Sequence, residues 1–210
     1  MHKIWLILKN PFSLPDQIKT RMWIYFFKKK TNVQVKGKFI VAGIPMIDVI
    51  KSASLEIGKN VTFTSRNKGY HLNLHSPVKI YADRDNAKIK IGNNTRIHGT
   101  CIHAYKSISI GDNCLIAANC QIMDGNGHDI SFPDVANRIH TVGDAKEIII
   151  GDNVWIGAGT FVLPGVTIGK GSVISANSVV VKDIPPMVLA GGNPARIIRD
   201  YNKLGSKFEK

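Results

Sequence analysis

His128 is the side chain whose setting in this sequence best suits acid–base chemistry. It lies in the glycine-rich segment Met123-Asp-Gly-Asn-Gly-His-Asp129, where glycines let the backbone turn tightly. An imidazole changes its charge near neutral pH and can take a proton from a hydroxyl group. Asp129 or Asp124 could accept a hydrogen bond from the second ring nitrogen and so fix the tautomer. A surface histidine in a polar loop is the alternative interpretation of this segment taken alone.

An apolar repeat after this segment predicts the scaffold that must position it. Six apolar residues stand six apart, namely Ile150, Ile156, Val162, Ile168, Ile174 and Val180. A period of six fits neither an α-helix nor a plain strand, but it is typical of a parallel β-helix, in which short strands and corners stack. Weaker copies of the repeat run through Ile57, Phe63, Ile91, Ile97, Ile110, Ile116 and Ile122. The longer step from Ile97 to Ile110 predicts one extra residue in a corner.

The period is absent between Ile122 and Ile150, which predicts a long loop thrust out of the prism. Long loops in compact repeats are uncommon and usually functional. We therefore expect an all-β protein with three parts. Residues 1–38 form a basic N-terminal cap, residues 39–183 form the β-helix domain with its loop at 124–147, and residues 184–210 form a tail with a helix from about Pro194.

The cap segment is strongly basic and rich in aromatic residues. The chain has 28 Lys and Arg against 15 Asp and Glu, a formal charge of +13, which favours an anionic partner. Asp16 is the only acidic residue of the cap. Its basic residues are Lys3, Lys9, Lys19, Arg21, Lys28, Lys29, Lys30, Lys36 and Lys38. One interpretation is peripheral contact with an acidic membrane surface. The other is a helix that covers the open end of the prism, and the two are compatible.

Composition also indicates where the protein works. No apolar run reaches the roughly 20 residues that cross a bilayer, and the N-terminus lacks the features of a signal peptide. The three cysteines, Cys101, Cys114 and Cys120, do not have the spacing of a zinc site, and the last two should be small residues of the repeat. We expect a reduced, cytoplasmic protein, with the inner face of the membrane as a contact site. Nucleic acid is not expected as a partner, because no binding motif is present.

Four motifs point to a known family. They are Ile150-Gly-Asp-Asn-Val-Trp-Ile-Gly157, Pro164-Gly-Val-Thr-Ile-Gly169, Lys182-Asp-Ile-Pro-Pro186 and Gly192-Asn-Pro-Ala-Arg196. Together with the loop histidine, they resemble the hexapeptide-repeat acyltransferases, particularly the sugar O-acetyltransferases such as the maltose, galactoside and capsule enzymes. The resemblance covers residues 85–200. It implies a left-handed β-helix, a homotrimer, acetyl-CoA held in a groove between adjacent prisms, and no metal.

The resemblance also implies roles for single residues. His128 matches the general base, with Asp129 beside it, and Trp155 matches the tryptophan near the acetyl group, although a tryptophan packed between subunits is an equal alternative. The residues expected to bind the cofactor are Trp155, Gly157, Ala158, Ala176, Lys182, Arg196 and Arg199, with the three cations at the nucleotide end. The residues expected at the acceptor are His98, Tyr105 and Asp124. His98 stands where the galactoside and maltose enzymes have an asparagine, and their acceptor-contacting aspartate falls near Ala104 or Tyr105.

The predicted function is acetyl transfer from acetyl-CoA to a sugar hydroxyl, in the synthesis of a cell-surface polysaccharide. An amino sugar acceptor, which would make the protein an N-acetyltransferase, is the first alternative. A more remote one is a zinc enzyme that resembles the γ-class carbonic anhydrases, because His98 and His103 are five residues apart. In that case the third ligand would have to be His71 or His75, both at the wrong distance. A binding prism without catalysis is the last alternative.

Overall fold

A computed structural model describes residues 14–202 of the chain. The expectations for residues 1–13, including the cap residues Lys3 and Lys9, lie outside the described residues, as do those for residues 203–210. The described chain forms one α-helix, α1 (Leu14–Phe27), and twenty strands, numbered β1 to β20 along the chain. The strands build three sheets, which are the three faces of a prism.

Face A contains every third strand from the first. Its order is β1 (Val33–Val35), β4 (Ser54–Ile57), β7 (Lys88–Ile91), β10 (Ser107–Ile110), β13 (Ile148–Ile150) and β16 (Thr167–Ile168). All neighbours in this sheet are parallel. Because β1 begins at Val33, the prism starts within the segment that the sequence assigned to the cap.

Faces B and C complete each coil. Face B has the order β2 (Phe39–Ala42), β5 (Val61–Thr64), β8 (Arg96–His98), β11 (Leu115–Ile116), β14 (Trp155–Ile156), β17 (Val173–Ile174), β19 (Val188–Gly192) and β20 (Ala195–Asp200). Face C contains β3 (Met46–Val49), β6 (Lys79–Ala82), β9 (Cys101–Ala104), β12 (Gln121–Met123), β15 (Phe161–Val162) and β18 (Val179–Val180). Successive strands therefore take successive faces, which confirms the β-helix predicted from the period of six.

The repeat residues form the core of the prism. All six members of the strict repeat are at most 1% exposed, and the members of the weaker copies are buried as well. Each coil thus contributes at least one buried apolar side chain per face, and the coils stack these side chains in columns. Cys114 and Cys120 are buried in the same interior as free thiols, and their Sγ atoms donate to the carbonyl oxygens of Gly151 (3.1 Å) and Gly157 (3.2 Å) on the next coil. This confirms their interpretation as small residues of the repeat.

The corners are held by short polar side chains that connect one coil to the next. Asn94, Asn113 and Asn153 adopt positive φ values of 56–58°, a region that asparagine tolerates better than most residues. The Asn94 amide donates to Oδ1 of Asn113 at 3.0 Å. In the adjacent column, the backbone N–H of Asp112 donates to Oδ1 of Asp152 at 2.8 Å.

The structure divides the irregular step from Ile97 to Ile110 between two corners, whereas the sequence predicted a change in one corner. Ile97 aligns with Ile116, and Ile102 aligns with Ile122, so the corner between β8 and β9 is one residue shorter than its counterpart on the next coil. The corner between β9 and β10 is correspondingly longer and contains Tyr105 and Lys106. The expectation of one enlarged corner was therefore incomplete, because a shortened corner precedes it.

The loop predicted at 124–147 separates β12 from β13, and its only regular element is a short 3₁₀ turn, Val135–His140. Most of its residues are exposed. A second excursion, residues 65–78, separates β5 from β6. The repeat therefore has two interruptions, and both bear on the functional site.

The two ends of the prism differ from each other. At the N-terminal end, Phe27 of α1 is buried and its ring lies 6.1 Å from that of Phe39, which in turn contacts Phe63 of the core. The helix therefore covers the first coil. At the C-terminal end, the helix predicted from Pro194 is wrong for the described residues, because Ala195–Asp200 forms β20, antiparallel to β19. Hydrogen bonds to the last coil stabilise this strand, whereas an isolated short helix would have no such partner.

Within residues 14–202 no helix has the length and apolar character needed to cross a membrane.

Candidate functional site

A groove of about 610 Å³ runs along face B, parallel to the prism axis. The strands β8, β11, β14, β17 and β19 each contribute to its floor, through His98, Leu115, Trp155, Val173 and Leu189. Strands in a sheet are about 4.8 Å apart, so five strands give a length of about 19 Å. A groove of this shape fits a long, thin ligand.

The edge of the groove is built from small residues. Gly157 and Ala158 follow β14, Ala176 follows β17, and all three line the groove. A Cβ atom on Gly157 would lie 2.5 Å from the backbone nitrogen of Ala176, so a larger residue at 157 would push the two coils apart. The indole of Trp155 stands beside them and is half-exposed. The structure thus brings together four of the seven residues expected to bind the cofactor.

The opposite wall of the groove comes from a segment that sequence reasoning missed. Tyr70, His71 and Leu72, in the excursion 65–78, line the end of the groove near His98. Asn119 holds this excursion in place, because its side chain accepts from the N–H of His75 (2.9 Å) and donates to the carbonyl of Asn73 (2.9 Å). The interruption of the repeat after Phe63 was the available signal for this second loop.

His98 is the titratable group that the groove perturbs most clearly. Its ring stacks on that of Tyr70, with centroids 4.6 Å apart and an interplanar angle of 20°. Burial, with smaller contributions from Arg96 and His71, lowers the pKa of His98 to about 4. Its Nδ1 atom is buried and has no hydrogen-bond partner among the described residues. The structure therefore places an uncharged imidazole in the groove.

His128 is exposed on the loop and does not line this groove. Its Nδ1 lies 3.2 Å from the carbonyl oxygen of Thr141. A carbonyl can only accept, so this contact assigns the proton to Nδ1 and leaves Nε2 free as a base. The expected orientation by Asp124 or Asp129 is not found. The backbone of Asp129 instead donates to the Thr141 hydroxyl at 2.8 Å.

Asp124 has a structural position that rules out contact with an acceptor in this conformation. The residue is completely buried. Its carboxylate accepts the backbone N–H groups of Tyr105 (2.6 Å), Lys106 (2.9 Å) and Ser107 (2.6 Å). The side chain therefore fixes the enlarged corner between β9 and β10 at the base of the loop. The ring of Tyr105 packs directly against Gly125, so Tyr105 also lies at the loop base, away from the groove on face B.

The three predicted cations lie near the end of the groove but outside it. Lys182 and Arg196 line a separate depression of about 440 Å³ beside the tail strand. Arg199 is the register partner of Leu189, the last residue of the groove floor. All three side chains are exposed, and phosphate groups favour fixed cations of this kind.

The zinc interpretation has no support in the geometry. His98 belongs to face B and His103 to face C, and His103 Nε2 pairs with Asp83 Oδ1 at 3.0 Å. Residues 14–202 contain no group of three or more His, Cys, Asp or Glu side chains arranged to hold a metal ion.

Models of protein families match both halves of the repeat. Residues 147–182 match the bacterial transferase hexapeptide model of six repeats, and residues 88–123 match the model of the hexapeptide repeat of succinyl-transferase. The two matches flank the loop that carries His128. They cover four of the five strands that form the floor of the groove, namely β8, β11, β14 and β17.

Comparisons with individual proteins and solved structures find acetyltransferases. The galactoside O-acetyltransferase of Escherichia coli is 41% identical over 128 residues, which are 55% of this chain and 56% of that protein. A hexapeptide-repeat acetyltransferase of Vibrio cholerae, solved with acetyl-CoA, is 38% identical over 58% of this chain and 64% of that one, with a TM-score of 0.52. A maltose O-acetyltransferase of Clostridium difficile is 29% identical over 80% and 70%, with a TM-score of 0.52. This chain spans less than two thirds of the length of the curated relatives that it matches.

Proposed function

We propose that this chain, whose repeats match hexapeptide-transferase family models, transfers an acetyl group from acetyl-CoA to a hydroxyl group of a saccharide. The observation that carries the proposal is the groove on face B, in which Trp155 stands beside the small residues Gly157, Ala158 and Ala176. The backbone can approach a thin pantetheine arm closely there, because no long side chain intervenes. Lys182, Arg196 and Arg199 at the tail end would receive the phosphate groups of the nucleotide.

The chemistry follows from the tautomer of His128. Its free Nε2 takes the proton of the acceptor hydroxyl as the oxygen attacks the thioester carbonyl. The new C–O bond forms, the C–S bond breaks, and the imidazolium returns its proton to the leaving sulfur. The carbonyl oxygen of Thr141 holds the Nδ1–H group throughout, which keeps the ring in the required orientation.

The reaction needs His128 and the groove in one site, and we infer that a homotrimer supplies this arrangement. Within one chain His128 does not line the groove. The loop exposes large apolar side chains, among them Phe132, which is 76% exposed, and Ile139, which is 73% exposed. Exposed apolar clusters usually mark interaction sites. A loop that packs against the neighbouring prism would bury them and deliver His128 to the groove of that neighbour.

The role in the cell that fits this site is modification of a surface polysaccharide. The acceptor end of the groove combines the Tyr70 ring with the uncharged imidazole of His98, and the basic chain would favour an acidic glycan. Mass spectrometry of the surface glycan of cells with and without the protein tests this role. Loss of one acetyl group per repeating unit supports it, and an unchanged glycan contradicts it.

The base assignment is tested by replacing His128 with alanine. We expect turnover of acetyl-CoA with a saccharide acceptor to fall by about 10²–10⁴-fold, while the molecular mass in solution stays that of the wild type. Release of the free thiol of CoA measures the rate. His140→Ala is the matched control, because His140 is an exposed histidine of the same loop, and it should retain nearly the full rate. Equal rates for both variants would remove His128 from the mechanism.

A further inference from the structure

Helix α1 has a second apolar surface that the prism does not use. Trp23 and Phe27 face the prism, where their rings stack at 4.7 Å and Phe27 reaches Phe39. Ile18, Met22, Tyr25 and Phe26 instead point outward and are 50–61% exposed. At about 100° per residue, these four side chains fall on one side of the helix, roughly opposite Phe27. We call these four residues the outer stripe.

Basic side chains border the outer stripe on both sides. By the same helical angle, Lys19 lies along one border, and Arg21 and Lys28 lie along the other. Lys29 continues the line of the stripe, and its ammonium group lies 4.3 Å from the centre of the Tyr25 ring. All four cations are exposed. The helix is therefore apolar on two opposite sides, and cations surround the side that faces away from the core.

Few acidic residues offset this charge: Asp16 and Asp48 stand just outside a stretch that has none, and Glu56 pairs with Lys36. From Gln17 to Ile47 the chain contains seven Lys and Arg residues and no Asp or Glu. A purely structural cap needs one apolar side only, and exposed aromatic side chains in a strongly positive surface add nothing to its packing. Aromatic and aliphatic side chains ringed by Lys and Arg are instead what a helix needs in order to lie in the interface of an acidic bilayer.

We propose that the outer stripe and its flanking cations bind the surface of a membrane that contains anionic lipids. The outer stripe enters the boundary between headgroups and acyl chains, and the cations contact the lipid phosphates. Trp23 and Phe27 remain packed on the first coil, so the prism is held with its N-terminal end toward the bilayer. This inference does not depend on the proposed acetyl transfer.

The test is sedimentation of the full-length protein with vesicles. One set is phosphatidylcholine alone and the other contains about one third phosphatidylglycerol, a surface that attracts basic segments. We expect binding to the mixed vesicles only, and a decrease in binding as salt is added. The triple variant Ile18→Ser, Met22→Ser, Phe26→Ser should lower the partition coefficient by about tenfold or more. Failure of the wild type to bind the mixed vesicles would overturn the proposal.

A charge variant tests the proposal independently, in case the triple serine variant folds poorly. Replacing Lys19, Arg21 and Lys29 with glutamine should also reduce binding by about tenfold or more. The matched control replaces Lys88, Lys90 and Lys106 with glutamine, because these three lysines are exposed on face A and its adjoining corner. If the control lowers binding as much as the charge variant, the attraction is general and the proposal for α1 is wrong.

The same samples distinguish a membrane from other contacts that could cover the outer stripe. If the serine variant binds vesicles like the wild type but has a different mass in solution, the outer stripe is a contact between copies, and the proposal is overturned. If the serine variant matches the wild type in both respects, another segment binds lipid, and the proposal is overturned as well. A Phe26→Trp variant whose fluorescence is quenched by brominated lipid would place the outer stripe in the bilayer directly.

Discussion

At the scale of the residue, backbone groups perform tasks that the sequence suggested for carboxylates. A carbonyl oxygen, that of Thr141, holds Nδ1 of His128, whereas Asp124 is committed to three backbone N–H groups. This acceptor is uncharged, so it fixes the tautomer of His128 without placing a second charge beside the ring. The histidine is thereby oriented without an acidic partner.

His98 gives the molecule a dependence on pH that can be assigned to one group. The pKa of His98 is about 4 in the folded protein and about 6.5 in an unfolded chain. Between these values the unfolded state binds more protons, so the free energy of unfolding rises with pH and falls on acidification from about 6.5 to about 4. The cause is burial of the ring in the groove, which disfavours its charged form.

We therefore expect the midpoint of urea unfolding of the wild type to fall as the pH is lowered through this range. A His98→Leu variant should show a weaker dependence on pH, because the titrating group is gone. His140→Asn controls for the loss of an exposed imidazole. Identical pH dependence in the wild type and in the His98 variant would show that His98 is not the responsible group.

At the scale of the element, the loop depends on one buried carboxylate at its base. Asp124 follows β12 and fixes the corner at Tyr105, and its own carbonyl accepts the N–H of Lys146 at 2.7 Å. The two ends of the 24-residue excursion 124–147 are thereby brought together. The exposed part of the loop can then project without disturbing the stack of coils.

Replacement of Asp124 with alanine should lower the free energy of unfolding by about 3–5 kcal/mol, because three backbone N–H groups at the base of the loop would lose a charged acceptor. Asp124→Asn should cost less, since one acceptor oxygen remains. Urea titration measures both. The matched control is Asp129→Ala, an exposed aspartate of the same loop, which should change stability by no more than about 0.5 kcal/mol. A loss as small as that of the control would contradict the role of Asp124 in holding the base of the loop.

At the scale of the whole molecule, the candidate site is a groove that no single coil contains. Five strands from five coils contribute to its floor, and the excursion 65–78 supplies a wall. The prism is rigid because each coil is hydrogen-bonded to its neighbours along all three faces. The proposed trimer adds the last component, since His128 does not line the groove of its own chain.

Ala176→Phe tests whether this groove receives acetyl-CoA. Ala176 is exposed, follows β17 and lines the groove, so a phenyl ring there should occupy the path of the pantetheine arm. We expect KM for acetyl-CoA to rise by about tenfold or more with little change in thermal stability. Val179→Phe, which adds a ring to face C, should leave KM unchanged. An unchanged KM in the Ala176 variant would move the cofactor to another surface.

The prism was predictable from the sequence because a β-helix is a local fold. Each coil pairs with the next one along the chain, so the period of six in Ile150 to Val180 determines which residues face inward. The long loop was predictable for the same reason, since the period stops at Ile122 and resumes at Ile150. Similarly, the small residues at 157, 158 and 176 occupy equivalent corners, so their proximity followed from the repeat.

The tertiary structure decided what the period does not encode. It brought the excursion at Tyr70 against His98, buried Asp124 under the loop, and paired the tail with β19 as a strand instead of the expected helix. These contacts join segments outside the repeat, where the spacing of residues along the chain contains no information on which surface they meet. The sequence therefore determined the prism and its corners, while packing between irregular segments determined the shape of the groove and the orientation of His128.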